Sequence, residues 1–224
     1  MTKVFSFCLY GSNPKYNVGM IENIKIINKT FHDWFIYIYY DNVPIYDLEK
    51  MQELQNVVLI KSKYDNAKTM LDRFIPIDDP NVEIMFVRDA DSRIHDRDIW
   101  AIKQFIASDK KFHIIRDHIW HGTLILGGLW GIKRGLLNFN IEESIKNFEI
   151  DKENKWQVDQ NYLRQYIYPI IKHDVLIHGM LKMSPDEIIV PFPHPVKDYD
   201  FCGQVIDYKN NKPVKMFNLS GFMQ

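Results

Sequence analysis

The chain has 224 residues, a hydrophobic fraction of 46% and a formal net charge of −1 from 28 basic and 29 acidic side chains. At roughly 100–200 residues per domain, this length predicts a single domain, and the composition excludes a disordered or collagen-like chain. The charge balance lacks the clustered basic excess that is typical of nucleic-acid-binding proteins.

The cysteine content and the length of the apolar stretches indicate the cellular compartment in which the protein is expected. Cys8 and Cys202 are the only cysteines, and their wide separation favours two free thiols in a reducing environment. No apolar stretch approaches the ~20 residues that span a bilayer, and the first residues do not have the organisation of a signal peptide. The sequence therefore predicts a soluble, cytoplasmic protein that is not secreted and has no membrane or nucleic-acid partner.

The first half of the chain alternates predicted strands with predicted helices. Runs of β-branched and aromatic residues predict strands at 4–10, 34–40, 57–60 and 83–87. Apolar residues at helical spacing predict a helix with Asn17 as its N-cap, a second at 45–54, and a third at 66–74 that ends before Pro76. Strict alternation is typical of a parallel α/β sheet with a helix in each crossover.

The second half is less regular. Predicted elements are a helix at 96–107, a strand at 112–115, a glycine-rich strand pair around 124–132, a helix at 157–167 and a strand at 175–177. The proline-rich segment 185–195 cannot lie inside a sheet, because proline lacks the donor of the ladder. Its composition suggests a lid over a ligand. The predicted fold class is α/β, in a single domain with a loop-rich C-terminal end.

Two carboxylates follow the fourth predicted strand, at Asp89 and Asp91. Ligands of open parallel sheets bind at the carboxyl ends of strands, and residues two apart in an extended segment point the same way. Both carboxylates can therefore reach one Mg²⁺ or Mn²⁺ ion; a solvated turn is the alternative. The same spacing recurs at Asp96 and Asp98, where the dipole of a predicted helix already explains acidic residues.

Several segments resemble the glycosyltransferases of the GT-A fold, which use sugar nucleotides. Those enzymes have an arginine-containing helix, a buried strand, an Asp-x-Asp loop, a small-residue strand, an Asp-Gln helix start and a late strand with a histidine. The matching segments here, in that order within residues 3–180, are 70–76, 84–87, 89–91, 126–132, 158–163 and 175–178. The amino-acid sequence, including residues 201–205, is most similar to small glycosyltransferases of large DNA viruses that are linked to glycan synthesis on capsid proteins.

The resemblance implies a single GT-A domain with a mixed, mostly parallel sheet flanked by helices. Residues 1–93 would form the nucleotide-binding half, and residues 94–224 the half that binds the donor sugar and the acceptor. The implied activity is metal-dependent transfer of a hexosyl or deoxyhexosyl group from a UDP-sugar to a glycan or glycoprotein. The implied cofactor is Mn²⁺ or Mg²⁺. The oligomeric state, the sugar and the stereochemical outcome stay open.

By this resemblance, Asp91 is the principal metal ligand. Asp89 shares the metal or faces the ribose of the nucleotide. His178 is the third ligand, and the alternative for it is a structural histidine at the end of a strand.

The resemblance also implies which residues bind the donor. Arg73 would pair with phosphate or with the Asp89 loop, because its planar fork suits anionic oxygen. Gly127 and Gly128 lack side chains and would let the backbone approach the sugar; a bulge is the alternative. The remaining predicted contacts frame the base and the nucleotide, and they are Leu9, Tyr10, Gly11, Asp41 and Ala90.

Three residues are candidates for the chemistry: Asp117, Asp159 and Gln160. If the reaction inverts the anomeric centre, Asp117 or Asp159 would deprotonate the acceptor hydroxyl. If it retains the configuration, Asp159 or Gln160 would stabilise an oxocarbenium-like state. A surface salt bridge for Asp117 and a helix-start charge for Asp159 are the structural alternatives.

Two other functions compete with glycosyl transfer. A sugar-1-phosphate nucleotidyltransferase also uses acidic residues and Mg²⁺, but it has a glycine-rich basic loop after the first strand, and residues 11–15 match that loop poorly. A non-catalytic carbohydrate-binding domain would use its tryptophans as surface. Those tryptophans are Trp34, Trp100, Trp120, Trp130 and Trp156.

Overall fold

The computed structural model describes residues 1–64, 66–151, 157–197 and 199–214. Its centre is an eight-stranded sheet. The strands are β1 (Thr2–Tyr10), β2 (Phe35–Asp41), β3 (Val57–Lys61), β4 (Val82–Arg88), β5 (Phe112–Arg116), β6 (Leu129–Lys133), β7 (Val175–Gly179) and β8 (Ile189–Val190). A separate small hairpin consists of β9 (Ile206–Asp207) and β10 (Lys212–Pro213).

The strand order is β3-β2-β1-β4-β6-β5-β7-β8. Strand β6 runs antiparallel to both of its neighbours, whereas the other adjacent pairs are parallel. The predicted mixed, mostly parallel α/β sheet is therefore confirmed. The carboxyl ends of β1, β4, β5 and β7 consequently lie along one edge of the sheet.

Helices cover the sheet. They are α1 (Pro14–Thr30), α2 (Ile45–Gln52), α3 (Asp96–Ala107), α4 (Ile141–Asn147), α5 (Val158–Tyr162) and α6 (Tyr168–Ile171). A π-helical turn, Leu163–Ile167, joins α5 to α6, and a 3₁₀ helix, Ala67–Asp78, lies between β3 and β4.

Helix α1 begins one turn earlier than the sequence predicts. Asn13, not Asn17, is the N-cap, and its side chain accepts a hydrogen bond from the backbone N–H of Lys15 at 3.0 Å. Pro14 fits the first helical position, where its missing N–H has no cost. Asn17 lies inside the helix and donates to Asp47 at 2.8 Å instead.

The predicted α-helix at 66–74 is instead the 3₁₀ helix, which runs through Pro76 to Asp78. In a 3₁₀ helix, residues three apart lie on the same side, and Leu71 and Phe74 both pack into the core in this way. The expected end before Pro76 was therefore wrong.

The glycine-rich strand pair predicted around 124–132 is a loop followed by the single strand β6. The guanidinium group of Arg116 donates to the carbonyl of Leu124 at 2.8 and 3.2 Å. That carbonyl is therefore occupied by a side chain and not by a ladder partner. The loop leaves Gly127 and Gly128 at the edge of the sheet, directly before β6.

The described residues form two large apolar clusters and a smaller third one. Of the two large clusters, one includes Trp130 and Phe74, and the other includes Trp34 and Phe86. Trp34 and Trp130 are buried, which contradicts the idea that the tryptophans form a binding surface, although Trp120 is partly exposed. Trp156 lies outside the described residues.

The proline-rich segment 185–195 is held against the sheet edge and α3. Arg116 forms a buried bidentate pair with Glu187 at 2.6 and 2.7 Å, and Arg97 donates to the carbonyl of His194 at 2.5 Å. Residues 189–190 also extend the sheet beside β7. The segment was expected to form a lid over a ligand; in the structure it packs beside β7 and α3.

Both cysteines are free, as predicted. Among the described residues, no helix combines the length and apolar character needed to cross a membrane.

Candidate functional site

A cleft of about 210 Å³ opens where the carboxyl ends of β1 and β4 lie side by side. Its lining comes from the end of β1, the first turn of α1, the 3₁₀ helix, the loop after β4 and the start of α5. The lining residues are Cys8, Leu9, Tyr10, Tyr16, Met70, Arg73, Asp89, Ala90, Asp91 and Asp159. Strand ends far apart in the sequence thus meet at one place.

Arg73 connects two carboxylates of the cleft. Its Nη1 donates to Asp89 Oδ1 at 2.5 Å, and its Nη2 donates to Asp159 Oδ2 at 2.8 Å. The arginine side chain is 4% exposed, compared with 44% for Asp89 and 12% for Asp159. The third contact of this guanidinium is the carbonyl of Arg88, the last residue of β4. Arg73 therefore fixes the position of Asp89 and Asp159.

Asp91 has a different basic partner. Lys15 Nζ lies 2.8 Å from Asp91 Oδ2, and the two side chains are 31% and 15% exposed. Burial raises the pKa of the Asp91 carboxyl, the neighbouring Asp89 raises it further, and the hydrogen bond from Lys15 opposes both effects. Asp89 and Asp91 thus repel each other and are held by separate cations.

The pKa of the Asp159 carboxyl is also raised above its usual range. Burial is the main cause, and the adjacent Arg73 only partly offsets it. Asp159 additionally accepts a hydrogen bond from the backbone N–H of Gln160 at 2.8 Å. Gln160 meets the site through this backbone contact, and its side chain is not part of the cleft lining.

Gly127 and Gly128 make room for the carboxylates of the cleft. A Cβ atom on Gly128 would overlap the carboxylate of Asp89, and a Cβ atom on Gly127 would overlap that of Asp159 and crowd Arg73. The sequence suggested that the glycines let a ligand approach the backbone. In the structure they let two acidic side chains approach it.

The predicted base-binding residues divide into two groups. Leu9, Tyr10 and Ala90 line the cleft, and Gly11 turns the chain away from β1 with a φ of 76°. Asp41 lies at the end of β2, where its carbonyl accepts from Gly11 N at 3.0 Å and its carboxylate accepts from Asn42. Asp41 is beside the cleft and not in its lining.

Asp117 is not in this cleft. Arg97 holds both of its oxygens, at 2.8 and 2.5 Å, and the backbone N–H of Cys202 donates to it at 3.1 Å. Asp117 borders a second cavity of about 550 Å³, together with His118 and Phe192. The salt-bridge alternative for Asp117 is observed, because Arg97 pairs with it and joins α3 to the end of β5. Its expected role as the base for the acceptor hydroxyl stays a prediction.

His178 is also separated from the acidic pair. It lies fully buried on β7, its Nδ1 is 2.8 Å from His113 Nε2, and its ring packs against Trp100 and Phe192. Within the described ranges, no group of three or more His, Cys, Asp or Glu side chains is arranged to hold a metal ion. The structure therefore does not bring the three expected ligands together, and the structural alternative for His178 fits its contacts.

The remaining donors nevertheless suit a divalent cation. Asp89, Asp91 and Asp159 contact Arg73 and Lys15 directly, and Arg93 attracts Asp91 electrostatically without a direct contact. Three carboxylates therefore share two direct cationic partners. Carboxylate oxygens are the ligands that Mg²⁺ and Mn²⁺ prefer, and one or two of them suffice when phosphate and water complete the shell. An anionic diphosphate in this cleft would face these carboxylates, and a divalent cation would offset the repulsion between them.

Sequence reasoning missed Lys15, Tyr16, Met70 and Cys8 as parts of the site. Residues 11–15 had been considered only as a poor phosphate loop. One signal for the site was present in the sequence. Lys15 is a basic residue in the first turn of a helix, where the positive end of the helix dipole disfavours it. Burial raises the pKa of the Cys8 thiol to about 11, so Cys8 is a neutral part of the cleft floor.

Comparison with known proteins gives structural similarity only. No protein-family model matches the chain, and no curated protein matches it. A solved glycosyltransferase that is involved in the glycosylation of the major capsid of PBCV-1 has 13% identity and a TM-score of 0.50, over 80% of this chain and 82% of that chain.

Two further solved structures have lower scores. The 4-diphosphocytidyl-2C-methyl-D-erythritol synthase of Anaerococcus prevotii has 9% identity and a TM-score of 0.47, over 79% and 87% of the two chains. The galactosyltransferase LgtC, solved with donor and acceptor sugar analogues, has 9% identity and a TM-score of 0.44, over 77% and 73%. The sheet order and the capsid glycosyltransferase superposition together show that this chain has a GT-A-type fold.

Proposed function

We propose that the chain is a metal-dependent glycosyltransferase that moves a sugar from a nucleoside-diphosphate sugar, with UDP as the nucleotide, to a glycan or glycoprotein acceptor. The observation that carries the proposal is the cleft itself: Asp89 and Asp91 lie at the carboxyl end of β4, beside the end of β1, with Arg73 and Lys15 as their partners. The capsid glycosyltransferase with the same fold supports it.

The chemistry of the cleft suits a diphosphate leaving group. Glycosyl transfer breaks the bond between the anomeric carbon and the phosphate, so negative charge grows on the diphosphate. Asp91 and Asp89 would hold Mn²⁺ or Mg²⁺, which when bound acts as a Lewis acid toward that charge. Arg73 keeps Asp89 in place, and Leu9 and Tyr10 provide the wall for the nucleotide.

Asp159 is the one of the three catalytic candidates whose side chain lines the cleft. Arg73 and the backbone of Gln160 hold its carboxylate in a fixed position. A fixed, buried carboxylate next to a sugar would stabilise positive charge at the anomeric carbon. We therefore assign Asp159 to the reacting sugar, and Gln160 to positioning Asp159.

The first prediction concerns the wild-type protein. We expect UDP binding, measured by calorimetry, to weaken at least about tenfold when EDTA replaces Mn²⁺, because one lost charge-assisted contact already has that effect. Slow release of UDP from a UDP-sugar should also require the metal. Release that is indifferent to EDTA would contradict the metal role.

The competing functions predict different results with other substrates. A nucleotidyltransferase would release pyrophosphate from UTP and a sugar 1-phosphate. A non-catalytic domain would bind glycans without metal and leave UDP-sugars intact. Either result would replace the proposal.

The second prediction concerns Gly128. Its replacement by alanine should displace the carboxylate of Asp89 from Arg73, since the new Cβ would occupy the same space. We expect metal-dependent UDP release to fall between about 10- and 100-fold, as for other small displacements of catalytic groups. Gly122→Ala is the matched control, because a Cβ atom there meets open space. Equal activity of the two variants would show that Asp89 does not need its observed position.

A further inference from the structure

Lys15 holds a position that its own helix does not favour. It lies in the first turn of α1, where backbone N–H groups give the helix a positive end. Its ammonium is placed over the ring of Tyr16, a residue that lines the cleft, at 4.2 Å from the ring centroid. Since α1 has no acidic residue in this turn, the carboxylate that compensates the lysine comes from the loop after β4.

That carboxylate is Asp91, with Lys15 Nζ at 2.8 Å from Oδ2. The pair joins residues 76 positions apart, so it forms only when the cleft is assembled. Ion pairs with a partly exposed lysine contribute little to folding. A contribution to stability alone therefore explains this contact poorly.

A divalent cation on Asp91 would change this arrangement. An ammonium and a metal ion on one carboxylate repel each other at short range, so binding of the metal would release Lys15 from Oδ2. The lysine would stay at the mouth of the cleft, because its backbone is fixed by the Asn13 cap of α1. The anion that arrives with the metal is the diphosphate of the donor.

We propose that Lys15 exchanges partners: it binds Asp91 in the nucleotide-free protein and the diphosphate of the donor once a divalent cation occupies Asp91. This inference rests on the proposed function. Lys15 thereby keeps Asp91 paired in the empty cleft and adds a second positive charge to the leaving group, beside the metal. Arg73 already binds Asp89 and Asp159 through its two terminal nitrogens, so Lys15 is the basic side chain whose carboxylate partner a cation on Asp91 would displace.

The proposed exchange of partners predicts that one variant binds Mn²⁺ more tightly and UDP more weakly. In Lys15→Met, Mn²⁺ alone should bind several-fold more tightly, measured by electron paramagnetic resonance without nucleotide, because the competing ammonium is gone. UDP should bind at least about tenfold more weakly at saturating Mn²⁺, since a charge-assisted hydrogen bond is lost. Binding of uridine, which has no phosphate, should not change.

Two further variants complete the experiment. Lys15→Arg should restore most of the UDP affinity, because the charge is kept. Lys25→Met is the control on the same helix, where the lysine pairs with the exposed Glu22, and it should change neither affinity.

The results separate the possible failures. Weaker binding of both Mn²⁺ and UDP in Lys15→Met would indicate a purely structural lysine and overturn the inference, as would unchanged UDP affinity. A wild-type protein that binds no UDP with or without Mn²⁺ would instead overturn the proposed function.

Discussion

Replacement of Asp91 by asparagine is expected to reduce metal-dependent UDP binding and UDP-sugar turnover at least about 100-fold, since loss of an outer-shell partner alone costs 10- to 100-fold. The amide keeps the shape of the side chain but removes the charge that would hold the cation. Calorimetry with Mn²⁺ and UDP, together with a UDP-release assay, measures the effect.

The fold of this variant should survive. The pKa of the Asp91 carboxyl is raised by burial and by Asp89, so a neutral side chain is compatible with the site. We expect a thermal midpoint close to that of the wild type.

Asp96→Asn is the matched control. Asp96 belongs to the second Asp-x-Asp pair, but it is exposed at the start of α3. Its replacement should leave UDP binding and turnover unchanged. If Asp91→Asn behaved like Asp96→Asn, the acidic loop would have no role in metal binding.

Replacement of Arg73 by leucine is expected to have the largest effect on stability. It removes the common partner of Asp89 and Asp159 and leaves a buried carboxylate without a cation, a change that costs about 3–5 kcal/mol for buried pairs. Most of this cost should come from Asp159, because Asp89 can be solvated. Urea unfolding at fixed pH measures the loss.

The pH dependence of this loss has a defined sign. The pKa of Asp159 is already raised in the folded protein, and removal of Arg73, which lowers it, should raise it further. Between the unfolded value of about 3.9 and the higher folded value, the folded state binds more protons than the unfolded state. The stability contributed by this group therefore falls as pH rises.

The difference in unfolding free energy between wild type and Arg73→Leu should accordingly be smaller near pH 5 than near pH 8. Arg164→Leu removes an exposed arginine that donates to Asn161, and its effect should be small at both pH values. A difference for Arg73→Leu that does not change with pH would mean that Asp159 does not carry the buried charge.

Local sequence patterns accounted for most of the sheet. The predicted strands at 34–40 and 57–60 differ from β2 and β3 by no more than one residue at either end, and the helix at 96–107 matches α3. These elements depend on apolar periodicity and on capping residues a few positions away. The strand pair around 124–132 failed because a side chain, Arg116, took the carbonyl of Leu124. The N-cap of α1 and the type of the helix at 67–78 failed for local reasons, since neighbouring residues offered a second capping site and a tighter helix.

The acidic pair was also accessible from the sequence, because a strand followed by Asp89 and Asp91 places both carboxylates at the edge of a sheet. Arg73 and Asp159 entered through the order of the motifs along the chain. The structure brings these four side chains to one cleft.

The amino-acid sequence by itself determined the type of fold and the edge of the sheet at which the acidic pair lies, because both depend on short-range periodicity and on the order of the elements. Only the tertiary structure decided which polar groups pair: Lys15 with Asp91 and Arg97 with Asp117 as ion pairs, and His113 with His178 as a hydrogen bond. The partners in these pairs are 76, 20 and 65 positions apart in the chain. A local sequence pattern spans only a few residues, so it cannot show which groups meet over such separations. The meeting of these groups is set by strand order and helix packing.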